Sequence, residues 1–239
     1  MDYEELNYNT LSREQQFEAS LAFPALMRKV YVWMTLALVI TGFTAYGVAT
    51  SPGVLQLIFG NQILFWGMII AELALVIGVS AAINRLSLTT ATLMFILYSV
   101  INGALFSSIF LIYTASSIAT VFFITAGTFG VMALIGYTTK TDLTSIGKYL
   151  FMALIGLIIA TLVNMFIKSE GFTYILSYIG VLIFVGLTAY DSQKIKQMLL
   201  QAPDAGEGAQ KLALLGALTL YLDFINLFIY LLRIFGRRE

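Results

Sequence analysis

The chain has 239 residues, of which 59% are hydrophobic and 11% are charged, and its formal net charge at pH 7 is zero. Such a composition, arranged in long apolar runs, predicts a helical protein that crosses a membrane several times rather than a soluble domain. The balanced charge gives no basis for nucleic-acid binding, and the lack of Cys excludes disulfides, thiol chemistry and sulfur-ligated metal.

The N-terminal segment, residues 1–29, is polar and lacks the pattern of a cleaved signal peptide. Its first eleven residues are predicted to be disordered. A capping box that begins at Ser12 predicts a short surface helix to about Ala22, and Pro24 is expected to open a new helix.

Seven hydrophobic segments of helical length follow, and they predict a single transmembrane domain over residues 30–239. The helices are expected at about 30–48, 63–83, 88–113, 118–137, 149–167, 172–190 and 211–238. Residues 192–210 start as a helical continuation of the sixth segment and then break at the sequence APDAGEG. The fold class is therefore all-α, with seven transmembrane helices.

The positions of lysine and arginine predict a cytoplasmic N-terminus. In that orientation the outer loops hold Lys168, whereas the inner segments hold Arg13, Arg28, Lys29, Arg85, Lys140, Lys148, Lys194, Lys196 and Lys211. The C-terminus disagrees, because seven crossings place Arg233, Arg237 and Arg238 outside.

A polar stripe runs along the last hydrophobic segment. Its members recur at spacings of three and four residues, which places them on one helical face: Gly216, Thr219, Asp223, Asn226, Tyr230 and Arg233. A charged carboxylate at this depth costs roughly 3 kcal/mol or more in lipid. The stripe is therefore expected to face protein or a water-filled cavity, with the other helices packed around it.

Three carboxylates fall within or at the end of hydrophobic segments, namely Glu72, Asp191 and Asp223. Buried carboxylates with asparagines nearby suit a hard cation such as Ca²⁺, bound through oxygen. They also suit a proton held between two carboxylates that cannot both ionise. Because the chain has no His, any response to pH near neutrality must come from such groups. The class that this pattern favours is a channel or transporter.

Structural roles remain open for the same residues. Glu72 also fits a hydrogen-bond partner between helices, and Asp191 fits a solvated residue at a helix end. Asn102, Asn164 and Asn226 are more often contacts between helices than ligands.

Two segments carry a more specific pattern: GLTAYDSQKIKQM at 186–198 and LYLDFINLFIYLLRIFG at 220–236. They resemble the signature segments of the Bax inhibitor-1 family, and the order of hydrophobic segments across nearly the whole chain is similar to that family too. The resemblance implies a multi-pass protein of a bacterial inner membrane, with the seventh helix enclosed by the other six.

The resemblance also implies a pH-sensitive calcium leak gated by a hydrogen-bonded pair of aspartates, which here are Asp191 and Asp223. Shared protonation would close the pore, and loss of the proton would open it. The same two residues are the tentative calcium ligands. No organic cofactor is implied, since calcium is the transported ion.

Other positions follow from the resemblance less directly. Glu72 resembles the acidic position of the family's second helix and joins the expected ion path. Arg85 is the candidate latch onto Asp191, although it lies two residues from the expected place, about 200° around a helix. Thr219, Asn226 and Tyr230 are expected to support Asp223.

Counting along the helices gives a condition for the pairing. At about 1.5 Å per residue, Asp191 lies near the inner surface and Asp223 roughly 16 Å above it. The two meet if the sixth helix continues inward past Asp191, or if the seventh starts nearer Gly216.

Two other functions fit the sequence. One is a non-transporting regulator that binds membrane proteases or other membrane proteins through helix contacts. The other is an intramembrane enzyme, which is not predicted because no His or Lys base forms an obvious dyad with a serine. The expected partners are thus the lipid bilayer, calcium and protons, with a membrane protein in the regulator hypothesis.

Overall fold

The computed structural model describes residues 13–202 and 204–238, which form nine helices and no strand. In chain order they are α1 (Arg13–Ala49), α2 (Pro52–Phe59), α3 (Gln62–Ala82), α4 (Leu88–Phe106), α5 (Ile109–Ile112), α6 (Ala115–Thr138), α7 (Thr144–Ile167), α8 (Glu170–Leu200) and α9 (Glu207–Phe235). Seven spans are long and apolar enough to cross a membrane, with α4 and α5 forming one of them. The predicted all-α fold with seven transmembrane helices is confirmed.

The N-terminal helix differs from its prediction. Within the described residues α1 runs without interruption from Arg13 to Ala49, so the predicted end near Ala22 and the new start at Pro24 are wrong. Pro24 removes one backbone donor, but Leu26 and Val30 on the same helix are fully buried. Packing of that face outweighs the missing hydrogen bond. The predictions for residues 1–12 concern a part of the chain outside the described residues.

The third predicted span is broken near its end. A helix was expected over 88–113, but α4 stops at Phe106 and the single-turn α5 follows. The hydroxyl of Ser107 donates to the Ala104 carbonyl at 2.6 Å, and that of Ser108 donates to the Leu105 carbonyl at 3.1 Å. These side chains compete with the helical hydrogen bonds and account for the break.

The predicted helical continuation of the sixth span beyond Asp191 is confirmed. Helix α8 continues to Leu200, nine residues beyond Asp191, and α9 begins at Glu207 rather than 211. This is the first of the two ways in which the aspartates were expected to meet. Residues 201–206 form the connection, in which the Asp204 carboxylate accepts a hydrogen bond from the Gly206 amide at 2.8 Å.

The chain divides into two compact units. The first comprises the described residues up to Leu111 together with Ile195–Leu218. In it α1 packs mainly on α4, where the Thr41 hydroxyl donates to the Ser99 carbonyl at 3.0 Å. A methyl group on Gly103 would lie 2.5 Å from the Thr41 carbonyl oxygen, so the two backbones approach closely at this glycine.

The second unit comprises Ile112–Lys194 and the residues from Thr219 onward, so it holds α6, α7, most of α8 and the C-terminal part of α9. Helix α9 is the most buried of the spans: 67% of its most apolar stretch is buried, against 44% or less in the others. Its enclosure by the other six stays a prediction, as does the division into a segment 1–29 and one domain. Helix α1 runs across that predicted boundary.

Candidate functional site

Two aspartates of the second unit face each other across α8 and α9. The carboxyl groups of Asp191 and Asp223 are hydrogen-bonded to one another. Asp191 is partly buried, and Asp223 is 4% exposed. A hydrogen bond between two carboxyl groups requires a proton on at least one of them, because an ionised carboxylate can accept but not donate. The bond therefore forms only when at least one of the two groups carries a proton.

The second oxygen of Asp223 is unusual. Among the described residues, this Asp223 oxygen is the one buried side-chain oxygen or nitrogen without a hydrogen-bond partner. Buried polar atoms in native proteins are nearly always satisfied, so such an atom calls for an explanation in terms of an ion, a proton or water. This Asp223 oxygen is therefore free to accept a further hydrogen bond.

Two glycines fix the part of α8 that carries Asp191. Gly136 of α6 lies against the backbone of Ala189, and Gly147 of α7 lies against the ring of Tyr190. A methyl group at either glycine would overlap these neighbours. The residues just before Asp191 thus pack on α6 through a close backbone approach at Ala189 and on α7 through the ring of Tyr190.

A side chain just after Asp191 ties α8 to a loop. Gln193 accepts a hydrogen bond from the Leu143 amide at 2.8 Å and donates one to the Thr141 carbonyl at 2.8 Å.

In the same loop the Asp142 carboxylate is fully exposed. Hydrogen bonds from Thr144, with the charge of Lys148 adding to them, lower the pKa of Asp142 below its usual value.

The surroundings of Asp223 on α9 are apolar and aromatic. The ring of its neighbour Phe224 lies 5.4 Å from that of Phe122 and 5.5 Å from that of Phe129, both on α6. Tyr221 is fully buried. Such packing excludes water from the helix face next to Asp223, which strengthens electrostatic interactions there.

Glu72 forms a separate cluster in the first unit. It lies near the middle of α3 and is partly buried. It accepts hydrogen bonds from the side-chain amide of Asn102 and from the hydroxyl of Tyr98, both on α4. Asn102 also lies 3.4 Å from the Tyr98 hydroxyl. The cluster joins α3 to α4, as the hydrogen-bonding alternative for Glu72 predicted.

Comparison with known proteins agrees with this architecture. The model of the family described as "Inhibitor of apoptosis-promoting Bax1" matches residues 24–239. The chain is 54% identical over 214 residues to the inner membrane protein YbhL of Escherichia coli, covering 89% of this chain and 92% of that protein. It is also 43% identical over 234 residues to the uncharacterized protein RP147 of Rickettsia prowazekii, covering 96% of each.

The chain belongs to the Bax inhibitor-1 family. Together with the seven apolar spans, its similarity to YbhL makes it a multi-pass protein of the inner membrane. Both of the segments that carried the resemblance lie within the matched residues, and the aspartate of each is a member of the Asp191–Asp223 pair.

The remaining predicted positions of this Bax inhibitor-1 family member fall in three places. Asn226 donates to the carbonyl of Leu222 in its own helix at 2.8 Å, so it does not join helices through that bond. The hydroxyl groups of Tyr230 and of Thr161 on α7 are hydrogen-bonded to each other, and the Tyr230 ring stacks on Phe184 of α8. Thr219 is partly buried on α9, in the second unit.

Arg85 lies in the turn that follows α3, and its side chain is exposed. It belongs to the first unit, whereas Asp191 belongs to the second. Its action as a latch stays a prediction.

Calcium ligation was predicted for Asp191 and Asp223. In the part of the chain that the structure describes, no three Asp, Glu, His or Cys side chains gather as a metal site. Since Ca²⁺ takes about 6–8 oxygen ligands, a pair of carboxylates leaves most positions to water or carbonyls.

Sequence reasoning missed Tyr98 and Gln193. Tyr98 lies four residues before Asn102, so it shares a helical face with a residue already singled out. The signal for Gln193 was weaker, because its partners are backbone groups of a loop 50 residues away.

Proposed function

We propose that this protein is a pH-sensitive calcium leak of the inner membrane, gated by protonation of the Asp191–Asp223 pair. The observation that carries the proposal is the hydrogen bond between the two carboxyl groups on α8 and α9. Membership of the Bax inhibitor-1 family and the unpartnered oxygen of Asp223 support it.

The proton controls the attraction between the two helices. With a proton on the pair, the hydrogen bond holds α8 to α9. With both carboxylates ionised, two like charges about 4 Å apart repel by about 4 kcal/mol at an effective dielectric constant of about 20. One interhelical hydrogen bond in a membrane contributes about 0.6–1.7 kcal/mol. The repulsion is therefore large enough to separate the helices at this point, and flux is expected to rise with pH.

The cation path uses the same carboxylates. Once separated, Asp191 and Asp223 present oxygens to a hard cation, for which they are the preferred ligand type. In the first unit Glu72, held by Asn102 and Tyr98, is a separate carboxylate whose place in the ion path stays a prediction. Calcium is the cargo of this path, and protons set whether it is open.

The test is calcium flux into liposomes that contain the purified protein, at pH 6 and pH 8. Wild-type flux is expected to be higher at pH 8. In Asp191→Asn and Asp223→Asn, an amide replaces the titrating group, so flux is expected to be the same at both pH values. Asp204→Asn is the matched control, because Asp204 is exposed in the 201–206 connection and its oxygen role survives the change.

An unchanged pH response of calcium flux in both aspartate variants would contradict the gating model.

The second candidate function is a non-transporting regulator, which the description of the family model as an inhibitor favours. Absence of flux from folded wild-type protein at both pH values, with a membrane protein co-purifying, is the result expected of that regulator. A membrane protease or other membrane protein would then be the partner to identify.

A further inference from the structure

A cavity of about 370 Å³ lies in the second unit, at the end of α8 remote from Asp191. Its walls come from the junction between α7 and α8, from the last turns of α9, and from Tyr113 just before α6. The C-terminal residues are fixed beside it: the Thr114 amide donates to the Arg237 carbonyl at 3.1 Å, and the Arg237 amide to the Ser117 hydroxyl at 2.8 Å. The cavity thus has walls that the fold holds in place.

The lining of the cavity carries an excess of positive charge. Lys168, Arg233 and Arg238 all line it, and Glu170 is the acidic residue in the wall. Among the described side chains, those of residues 22–202 and 204–238, none forms an ion pair within 4 Å with these three cations. Cations gathered in one cavity repel each other, and an anion that lies between them relieves the repulsion.

The position of Arg233 suits it to be the main contact. Its guanidinium group lies 5.6 Å from the centre of the Tyr230 ring, and its side chain is partly buried. This contact restrains the side chain before any ligand binds. A planar guanidinium presents donors in a fork that matches two oxygens of a phosphate, which a lysine cannot do.

The cavity opens toward the lipid. Two of its lining side chains, Met165 and Tyr174, are 57% and 45% exposed, and the adjacent Phe166 is 88% exposed. Apolar side chains exposed on a transmembrane helix face acyl chains, and tyrosine is typical of the headgroup level. Lys168 follows the last residue of α7, which places it at the edge of the membrane.

We propose that this cavity binds the phosphate of an anionic phospholipid, with Arg233 as the central contact and Lys168 and Arg238 beside it. The charge and the donor geometry fit a phosphate, and the apolar side of the cavity fits the start of the acyl chains. The volume falls in the range of about 300–1,000 Å³ that is usual for small-ligand sites. A soluble phosphate offers the same kind of oxygen ligand but would leave the exposed apolar rim unused.

The experiment is a native mass spectrometry titration of the purified protein in detergent, with phosphatidylglycerol and with phosphatidylcholine. Phosphatidylglycerol is expected to bind more tightly. A cation near the membrane surface contributes about 1 kcal/mol, so the double variant Lys168→Gln, Arg233→Gln is expected to bind phosphatidylglycerol about 25-fold more weakly. Arg237→Gln is the matched control, since Arg237 is exposed and does not line the cavity.

The outcomes separate the alternatives. Equal affinity in the double variant and the wild type, or equal loss in Arg237→Gln, would overturn the site. Displacement of the lipid by excess inorganic phosphate, which the proposal does not expect, would overturn the lipid assignment in favour of soluble phosphate. If the double variant fails to fold, the variant Arg233→Lys tests the site instead, because it keeps the positive charge but loses the two-donor geometry of the guanidinium. Its affinity for phosphatidylglycerol is expected to lie between that of the wild type and the background. An affinity equal to that of the wild type would contradict Arg233 as the central contact.

Discussion

Two carboxyl clusters within the transmembrane helices differ in what satisfies them. In the second unit Asp191 and Asp223 are hydrogen-bonded to each other, which requires a proton, and the second oxygen of Asp223 has no partner. In the first unit Glu72 accepts from an amide and a phenol, which requires no proton on Glu72. Similar chemistry therefore gives one cluster that depends on protonation for its hydrogen bond and another that does not. The partner, more than the burial, decides whether a carboxyl group in a membrane is suited to act as a switch.

The largest expected effect separates these two clusters by function. Under the proposed gating, Glu72→Gln keeps a wild-type ratio of calcium flux between pH 8 and pH 6, while Asp223→Asn brings that ratio to about one. The amide of glutamine still accepts from Asn102 or Tyr98, so α3 and α4 stay joined. Flux from liposomes checks both variants in parallel. If Glu72→Gln abolishes the pH response as well, the contrast between the clusters is wrong.

The next effect concerns the packing that holds the aspartate pair. Gly136→Ala is expected to lower the free energy of unfolding by about 1–3 kcal/mol, because its methyl group overlaps the Ala189 backbone. Gly130→Ala on the same helix is the control, since nothing lies within 4 Å of its added methyl. Unfolding in detergent micelles measures both. Equal stability of the two variants would show that the close approach at Gly136 is not a constraint.

Removing one donor from Glu72 is expected to have a smaller effect. Tyr98→Phe deletes the hydroxyl and keeps the buried ring, so the free energy of unfolding is expected to fall by about 1 kcal/mol. The same unfolding measurement applies. The pH dependence of calcium flux is expected to stay at the wild-type value, and a changed dependence would connect the first unit to gating.

The smallest effect is expected at Asn226. Its amide bonds to the Leu222 carbonyl of its own helix, so Asn226→Ala is expected to change the free energy of unfolding by less than about 0.5 kcal/mol. Asn102→Ala, which removes a bond between α3 and α4, provides the comparison and is expected to cost about 0.6–1.7 kcal/mol. A larger loss of unfolding free energy in Asn226→Ala than in Asn102→Ala would contradict the conclusion that Asn102, and not Asn226, joins two helices.

The sequence predicted the seven spans because hydrophobic length alone determines which segments cross a bilayer. It predicted less well where single side chains decide: the serines that end α4, and the burial that carries α1 through Pro24. The family resemblance predicted the Asp191–Asp223 pair. Counting residues gave only a condition for it, that the sixth helix continues past Asp191, and α8 continues to Leu200. The partners of Glu72 and Gln193 depend on how separate segments approach each other, which no local pattern specifies.

The hydrogen bond between Gln193 and the Leu143 amide makes the exchange of that amide proton sensitive to the position of α8. The Leu143 amide proton is held by a side chain two residues beyond Asp191, although its own loop lies outside the apolar spans. Its rate of exchange with deuterated solvent therefore depends on where α8 stands. A displacement of α8 at this level stretches the bond and speeds exchange at Leu143, while amides inside the neighbouring helices stay slow. Exchange at one backbone amide of the loop can thus report the position of the helix segment that carries Asp191.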